Sequence, residues 1–264
     1  MKVGVLLLLM GLLILCYSAE AIAESWRELK GEHFIVYFVR DRKFARDTLN
    51  KAEEYYKKIA DDLGYARYSD FWAWDRRVKI YIYPDSDSYR SYVEAHGHAR
   101  WSVGMANYKN KEILSYAQSE EFLDSVLPHE ITHLIFRDYV GQGNIPIWID
   151  EGIAQWEEKG KRQLVKRKIK ELLHIHKAIP IERMMTLNIG EVKNEAIVEL
   201  YYVEAVSLVD FLIREYGADN FIFFCRQLRD GKDVNEALRF TYPTSIRNID
   251  QLQTKWIEYL QGEE

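Results

Sequence analysis

The chain has 264 residues, 48% of them hydrophobic and 29% charged, with a formal net charge of −5 at pH 7. That length and balance suit one globular unit or two closely joined ones, and they exclude a disordered chain. An acidic balance offers phosphates no surface, so nucleic acid is excluded as a partner.

Residues 1–23 read as a targeting segment. Lys2 precedes an apolar run over 3–15, and small residues follow at Ser18, Ala19, Ala21 and Ala23, where a signal peptidase would cut. The expectation is an exported protein, periplasmic or extracellular, with its folded part beginning at residue 24. An uncleaved segment would instead anchor it in a membrane, although the run is short for a full span. Cys16 is preceded by Leu13-Ile14-Leu15, which lacks the small residue that lipoprotein processing prefers. Cys225, within Phe221-Ile222-Phe223-Phe224-Cys225, then has no disulfide partner and reads as a small buried hydrophobe.

Residues 33–39 are rich in aromatic and β-branched side chains and read as a buried strand. Asp41 follows as the cap of a helix in which Ala45, Leu49, Ala52, Tyr56, Ile59 and Leu63 recur in steps of three and four, and Gly64 stops it. A second strand spans 78–83, ended by Pro84, and a short helix spans 86–95. His33 reads as a packing or surface residue, and His96 and His98 as solvated loop histidines beside Gly97. Residues 101–108 and 111–116 read as a hairpin turning at Lys109-Asn110.

The chemistry begins at His129-Glu130-Ile131-Thr132-His133, within a helix expected over about 120–139 and ended by Gly141 and Gly143. Residues four apart share a helix face, so His129 and His133 can offer two imidazole nitrogens to one metal ion with Glu130 beside them. Pro128 deletes a backbone hydrogen bond, so a kink or restart is expected at about residue 125. A catalytic zinc takes three protein ligands, and the third must come from another segment. Trp148-Ile149-Asp150-Glu151-Gly152-Ile153-Ala154, a helix opened by Pro146, supplies it. Glu151 is the best candidate; Asp150, its neighbour, points about 100° away around the helix. One zinc ion is therefore expected on His129, His133 and Glu151.

These two motifs resemble the gluzincin metallopeptidases, the thermolysin-like superfamily, and most of all its peptidase MA-like branch. The resemblance implies zinc-dependent peptide hydrolysis with Glu130 as general base, and it places the metal-binding carboxylate immediately before the glycine, at Glu151. It also implies that a sheet-edge strand before the zinc helix pairs with an extended substrate. Gly104, Met105, Ala106 and Asn107 occupy that place and resemble the Gly-x-Met-Glu-Asn strand of gluzincin aminopeptidases. Ala106 stands where those enzymes carry the glutamate that captures a free amino terminus, so endopeptidase is the expectation over aminopeptidase. In the helix expected over about 195–216, the resemblance implies a tyrosine facing the site; Tyr202 is the candidate oxyanion donor. Gln155, one turn after Glu151, is the candidate hydrogen-bond partner for a ligand histidine, where thermolysin-like enzymes often carry a carboxylate.

Basic residues crowd 159–170, interleaved with Leu164, Val165 and Ile169 at helical spacing. The ordinary reading is an amphipathic helix with a solvated basic face; the other is contact with an anionic membrane surface or an acidic substrate. The expected architecture is α+β: a mainly antiparallel sheet with helices over about 24–118, a zinc-helix and helical part over about 119–264, and zinc in the cleft between. Its substrate would be a peptide or protein. The alternatives are a zinc-binding but non-catalytic scaffold of the cell envelope, or an aminopeptidase or other hydrolase of the same clan.

Overall fold

The computed structural model describes residues 25–64, 72, 76–96, 103–117, 121–141, 143, 145–158 and 160–262. The targeting segment, Gly97, His98, Trp101 and Lys159 lie outside them.

Alternation with a period of two builds the sheet. Strand β2 (Phe34–Phe38) buries Phe34, Val36 and Phe38, and β3 (Val78–Tyr83) buries Val78, Ile80 and Ile82. Between them runs α1 (Arg42–Asp62), started by the Asp41 side chain accepting the Phe44 N–H at 2.9 Å. The apolar positions expected on its inner face, from Ala45 to Leu63, are all buried. The hairpin consists of β4 (Gly104–Asn107) and β5 (Glu112–Tyr116), antiparallel to each other. A further strand, β1 (Arg27–Lys30), pairs with β2, and its Arg-Glu-Leu-Lys sequence carries no apolar alternation to announce it.

The α+β class is the one expected, with helices filling the C-terminal half. The five strands lie in the order β1-β2-β3-β5-β4. The sheet is mixed rather than mainly antiparallel, because β2–β3 and β3–β5 are parallel pairs. For β2 and β3 the cause is α1: a helix between two strands returns the chain to the starting edge, so the next strand runs the same way; after α2 (Ser86–Ala95) the chain enters β4 in the opposite sense, and the hairpin turn restores the direction in β5. One sheet face carries the main core, while on the other Tyr81, Tyr83, Met105, Leu114 and Tyr116 pack around Tyr89 and Val93 of α2.

The helical half comprises α3 (Leu127–Val140), α4 (Ile147–Glu157), α5 (Lys161–Ile175), α6 (Ile181–Met184), α7 (Glu195–Tyr216), α8 (Ala218–Arg229), α9 (Val234–Thr241) and α10 (Ile249–Gln261). Helix α7 is its centre and buries Leu200, Tyr201, Ala205, Leu208, Val209 and Leu212. Helix α4 lies against it so closely that a Cβ on Gly152 would come within 2.5 Å of the Ala205 carbonyl oxygen. Only glycine permits that approach, which carries Glu151 with it.

The basic stretch forms α5, with Val165, Ile169 and Leu172 buried. Several of its charges are paired within the molecule: Arg162 with Asp62 and Glu157, Lys168 with Glu199, and Lys161 with Glu158. Among the described residues no helix is long and apolar enough to cross a membrane.

Candidate metal centre

The restart expected ahead of Pro128 takes the form of a π-helical turn over Phe122–Val126, in which the Leu127 N–H reaches the Phe122 carbonyl. Proline's ring would crowd the carbonyl four residues back, that of Asp124, and the wider turn relieves this. From Leu127 onward α3 is regular, so His129 and His133 sit one turn apart on the same face.

Their Nε2 atoms lie 3.0 Å from each other. Glu151, arriving on α4, brings Oε2 to 3.7 Å from His129 Nε2 and Oε1 to 3.8 Å from His133 Nε2. These three form the one cluster of metal-ligating side chains among the described residues whose donor atoms all converge within 4.8 Å. Donors about 2.0–2.1 Å from a tetrahedral zinc ion stand roughly 3.3 Å apart. The observed separations bracket that value, so the donor set fits such an ion with small side-chain adjustments.

The outer ring nitrogens are held by carboxylates. Nδ1 of His133 meets Asp150 Oδ1 at 2.9 Å, and Asp150 also accepts from Arg137. Nδ1 of His129 meets Glu158 Oε1 at 3.1 Å, while the other Glu158 oxygen accepts from the Ser125 hydroxyl at 2.6 Å. Such partners fix each ring with Nε2 toward the metal. Asp150, weighed as a rival ligand, therefore serves behind His133. Gln155, the expected partner, lines the cleft instead, and Glu158 takes its place. The spacing held a signal for it, since Glu158 follows Glu151 by seven residues, two turns along the same face.

Burial favours the neutral form of His133, but Asp150, Glu151 and Glu130 outweigh it and raise its pKa to about 9. Such a surplus of negative charge around two imidazoles suits a divalent cation. Burial pushes the Glu130 carboxyl up, against the lowering influence of His129 and His133 and of a hydrogen bond from the Ala106 N–H. Asp150 resists its own burial because His133 and Arg137 hold it well below the ordinary carboxylate value.

That Ala106 contact brings the edge strand to the motif. Strand β4 pairs with β5 at the edge of the sheet and lies beside α3. Gly104 passes so close to the π-turn that an added Cβ would collide with Val126 Cγ1 at 2.4 Å. Met105 points to the opposite sheet face, and Asn107 Oδ1 accepts the Asn110 N–H at 3.3 Å in the hairpin turn. Across the site, Tyr202 lines a cleft of 620 Å³ together with His129 and Glu151. Burial, and then the charge of Glu151, raises the pKa of its phenol. Its neighbour Tyr201 is wholly buried, and its hydroxyl has no hydrogen-bond partner among the described residues.

Tyr108 was not anticipated. Its ring stands edge-on to His133 at 6.1 Å, under the Arg137 guanidinium at 4.8 Å. His33 and His96 are engaged elsewhere: His33 bonds Glu53 at 2.7 Å and stacks on Tyr56, and His96 Nδ1 lies 2.8 Å from the Tyr92 carbonyl. Cys225 is buried, and burial raises its thiol pKa far above the range of a nucleophile.

A mixed sheet with its edge strand beside a His-bearing helix, and a second helix bringing a carboxylate to the same point, make up the frame of the site. The family description of the peptidase MA superfamily matches residues 67–262, and the chain belongs to that superfamily. The matched span contains both motifs, the hairpin and the helical half. No curated protein matches the chain.

Proposed function

We propose that the protein is a zinc-dependent peptidase that cleaves within peptide chains and is exported. The observation that carries this reading is the meeting of three elements: the donor atoms of His129, His133 and Glu151, the Glu130 carboxylate, and the backbone of the β4 edge at Ala106. His129, His133 and Glu151 would hold one zinc ion, with Asp150 and Glu158 fixing the imidazoles. Zinc, when bound, supplies Lewis acidity that acidifies water toward neutral pH and polarises a carbonyl.

The remaining work falls to the chain's own residues. Strand β4 offers the unpaired side of Gly104 to Asn107 to an extended peptide, fixing the scissile bond over the site. Glu130 takes the proton of the attacking water and returns it to the leaving amine, as a general base that becomes a general acid. The Tyr202 hydroxyl donates a hydrogen bond to the carbonyl oxygen as negative charge builds on it. Ala106 provides no carboxylate for a substrate's terminal ammonium, which favours internal cleavage over removal of the first residue.

The test is to purify the protein, measure its zinc content and compare wild type with Glu130→Gln on a peptide library. One zinc per chain in both, internal cleavage by wild type, and a loss of at least about a hundredfold in the variant are expected. Equal activity in the two proteins, or no bound metal, would sink the mechanism. Bound zinc without cleavage of any peptide would favour a non-catalytic envelope component.

A further inference from the structure

Of the three donor side chains, two are held from behind, His133 by Asp150 and His129 by Glu158. Glu151 has no such partner. Its oxygens face the imidazoles, Oε2 at 3.7 Å from His129 Nε2 and Oε1 at 3.8 Å from His133 Nε2, and among the described residues neither accepts a hydrogen bond. A carboxylate that gives one oxygen to a metal keeps lone pairs on the other, and a donor to that oxygen fixes the ligand's orientation.

Helix α7 carries a hydroxyl with the complementary need. The Tyr201 side chain is wholly buried, and its hydroxyl has no hydrogen-bond partner among the described residues. A buried phenol in that state costs the fold free energy, because water satisfies it in the unfolded chain. Its place in the packing follows from Ala205, one turn further along the same face of α7, whose carbonyl is the point that Gly152 of α4 touches. Glu151 is the residue before Gly152, so Tyr201 and Glu151 flank a single helix contact. The electrostatics agree: after burial, the charge of Glu151 is the largest influence raising the Tyr201 phenol pKa, and a phenol kept protonated is a donor. Tyr242, another buried phenol without a partner, is influenced by Cys225 and Tyr216 instead. Tyr202, next in the chain, is turned about 100° around the helix and lines the cleft.

We propose that Tyr201 is the positioning residue of the third ligand: its hydroxyl donates to the Glu151 oxygen left over when the other binds the ion. The hydrogen bond forms as Glu151 turns from facing both imidazoles to presenting one oxygen between them. The metal-free protein therefore carries the cost of an unpaired hydroxyl, and the loaded protein recovers it. The two adjacent tyrosines of α7 divide their work, Tyr202 toward the substrate and Tyr201 toward the ligand. The inference rests on the metal centre and not on what the protein cleaves.

The experiment measures zinc affinity by chelator competition, and thermal melting with and without zinc, for wild type, Tyr201→Phe, Tyr202→Phe, Glu151→Ala and the double variant Tyr201→Phe/Glu151→Ala. Tyr201→Phe removes one oxygen and keeps the ring. It should weaken zinc binding by about ten- to a hundredfold while leaving the metal-free protein as stable as wild type or more so. A hydroxyl with a purely structural role would do the reverse. Tyr202→Phe should keep the zinc affinity of wild type. In the Glu151→Ala background, Tyr201→Phe should change affinity by less than about twofold, since the group it acts through is gone. With cobalt(II) in place of zinc, the visible absorption bands should shift in Tyr201→Phe. Equal zinc affinity in wild type and Tyr201→Phe, or the same loss with and without Glu151, would overturn the inference and leave the metal centre standing. If wild type binds no zinc, the metal centre falls and the inference with it. Zinc binding without cleavage of any peptide would remove the peptidase reading alone, because the role of Tyr201 is decided by affinity.

Discussion

Glu204 is a costly side chain in the core. It lies on α7 with no exposure, and its two carboxylate oxygens share one N–H, that of Ile179, at 3.0 and 3.2 Å. Burial pushes its pKa up from 4.5 to about 8 against the lowering effect of that N–H. Between these values the folded chain holds a proton that the unfolded chain releases, so stability falls as pH rises from about 4.5 through 8. The loss has an upper bound of roughly 5 kcal/mol at 1.4 kcal/mol per pKa unit. Glu204→Gln keeps an acceptor for Ile179 and cannot ionise. Melting curves from pH 5 to 8.5 should therefore diverge, with wild type losing several degrees relative to the variant as pH rises; parallel curves would show that Glu204 does not titrate in that range. At this scale the meeting of His129 and His133 was legible in the sequence because their four-residue spacing follows directly from helix geometry, whereas Glu151 was read from the second motif. Asp150 and Glu158 were not read as ring partners, because which carboxylate reaches Nδ1 depends on how α4 crosses α3.

Two glycines govern how the elements meet. Gly152 lets α4 touch α7, and an added Cβ would meet Val209 Cγ2 at 2.8 Å as well as the Ala205 carbonyl. Gly152→Ala should destabilise the fold by about 1–3 kcal/mol and, by pushing Glu151 outward, weaken zinc binding; thermal melting and chelator competition measure the two effects. Gly104 lets β4 approach the π-turn, where the obstacle is the stiff, β-branched side chain of Val126. Gly104→Ala should therefore be damaging alone and largely rescued by Val126→Ala, a coupling that a double-mutant cycle reads directly. The elements themselves were largely legible: the inner face of α1, the Asp41 cap and the break before Pro128 all follow from local rules. The parallel pairing of β2, β3 and β5 was less so: the strand–helix–strand succession was the sign of the β2–β3 crossover, but β5 joins β3 only after the chain has reversed through β4. Strand β1 escaped notice because Arg27, Glu28 and Lys30 leave it no apolar face.

At the scale of the molecule, the His129–His133–Glu151 cluster and Glu130 tie the β4 edge, α3 and α4 together. A ligand that binds only the folded state stabilises it, by roughly 4 kcal/mol when free ligand is a thousand times Kd. Chelation should lower the melting temperature reversibly, with zinc restoring it, and His133→Ala should show little of this response. The sheet that carries the centre has two open edges among the described residues, β1 and β4, and they differ in chemistry. Strand β1 presents Arg27, Glu28 and Lys30, exposed or nearly so, and charged strands resist the addition of another strand. Strand β4 presents Gly-Met-Ala-Asn without a charge of its own. The molecule can therefore keep one edge receptive to a passing chain while the opposite edge resists strand addition, so edge-to-edge growth into fibres has no second edge to use.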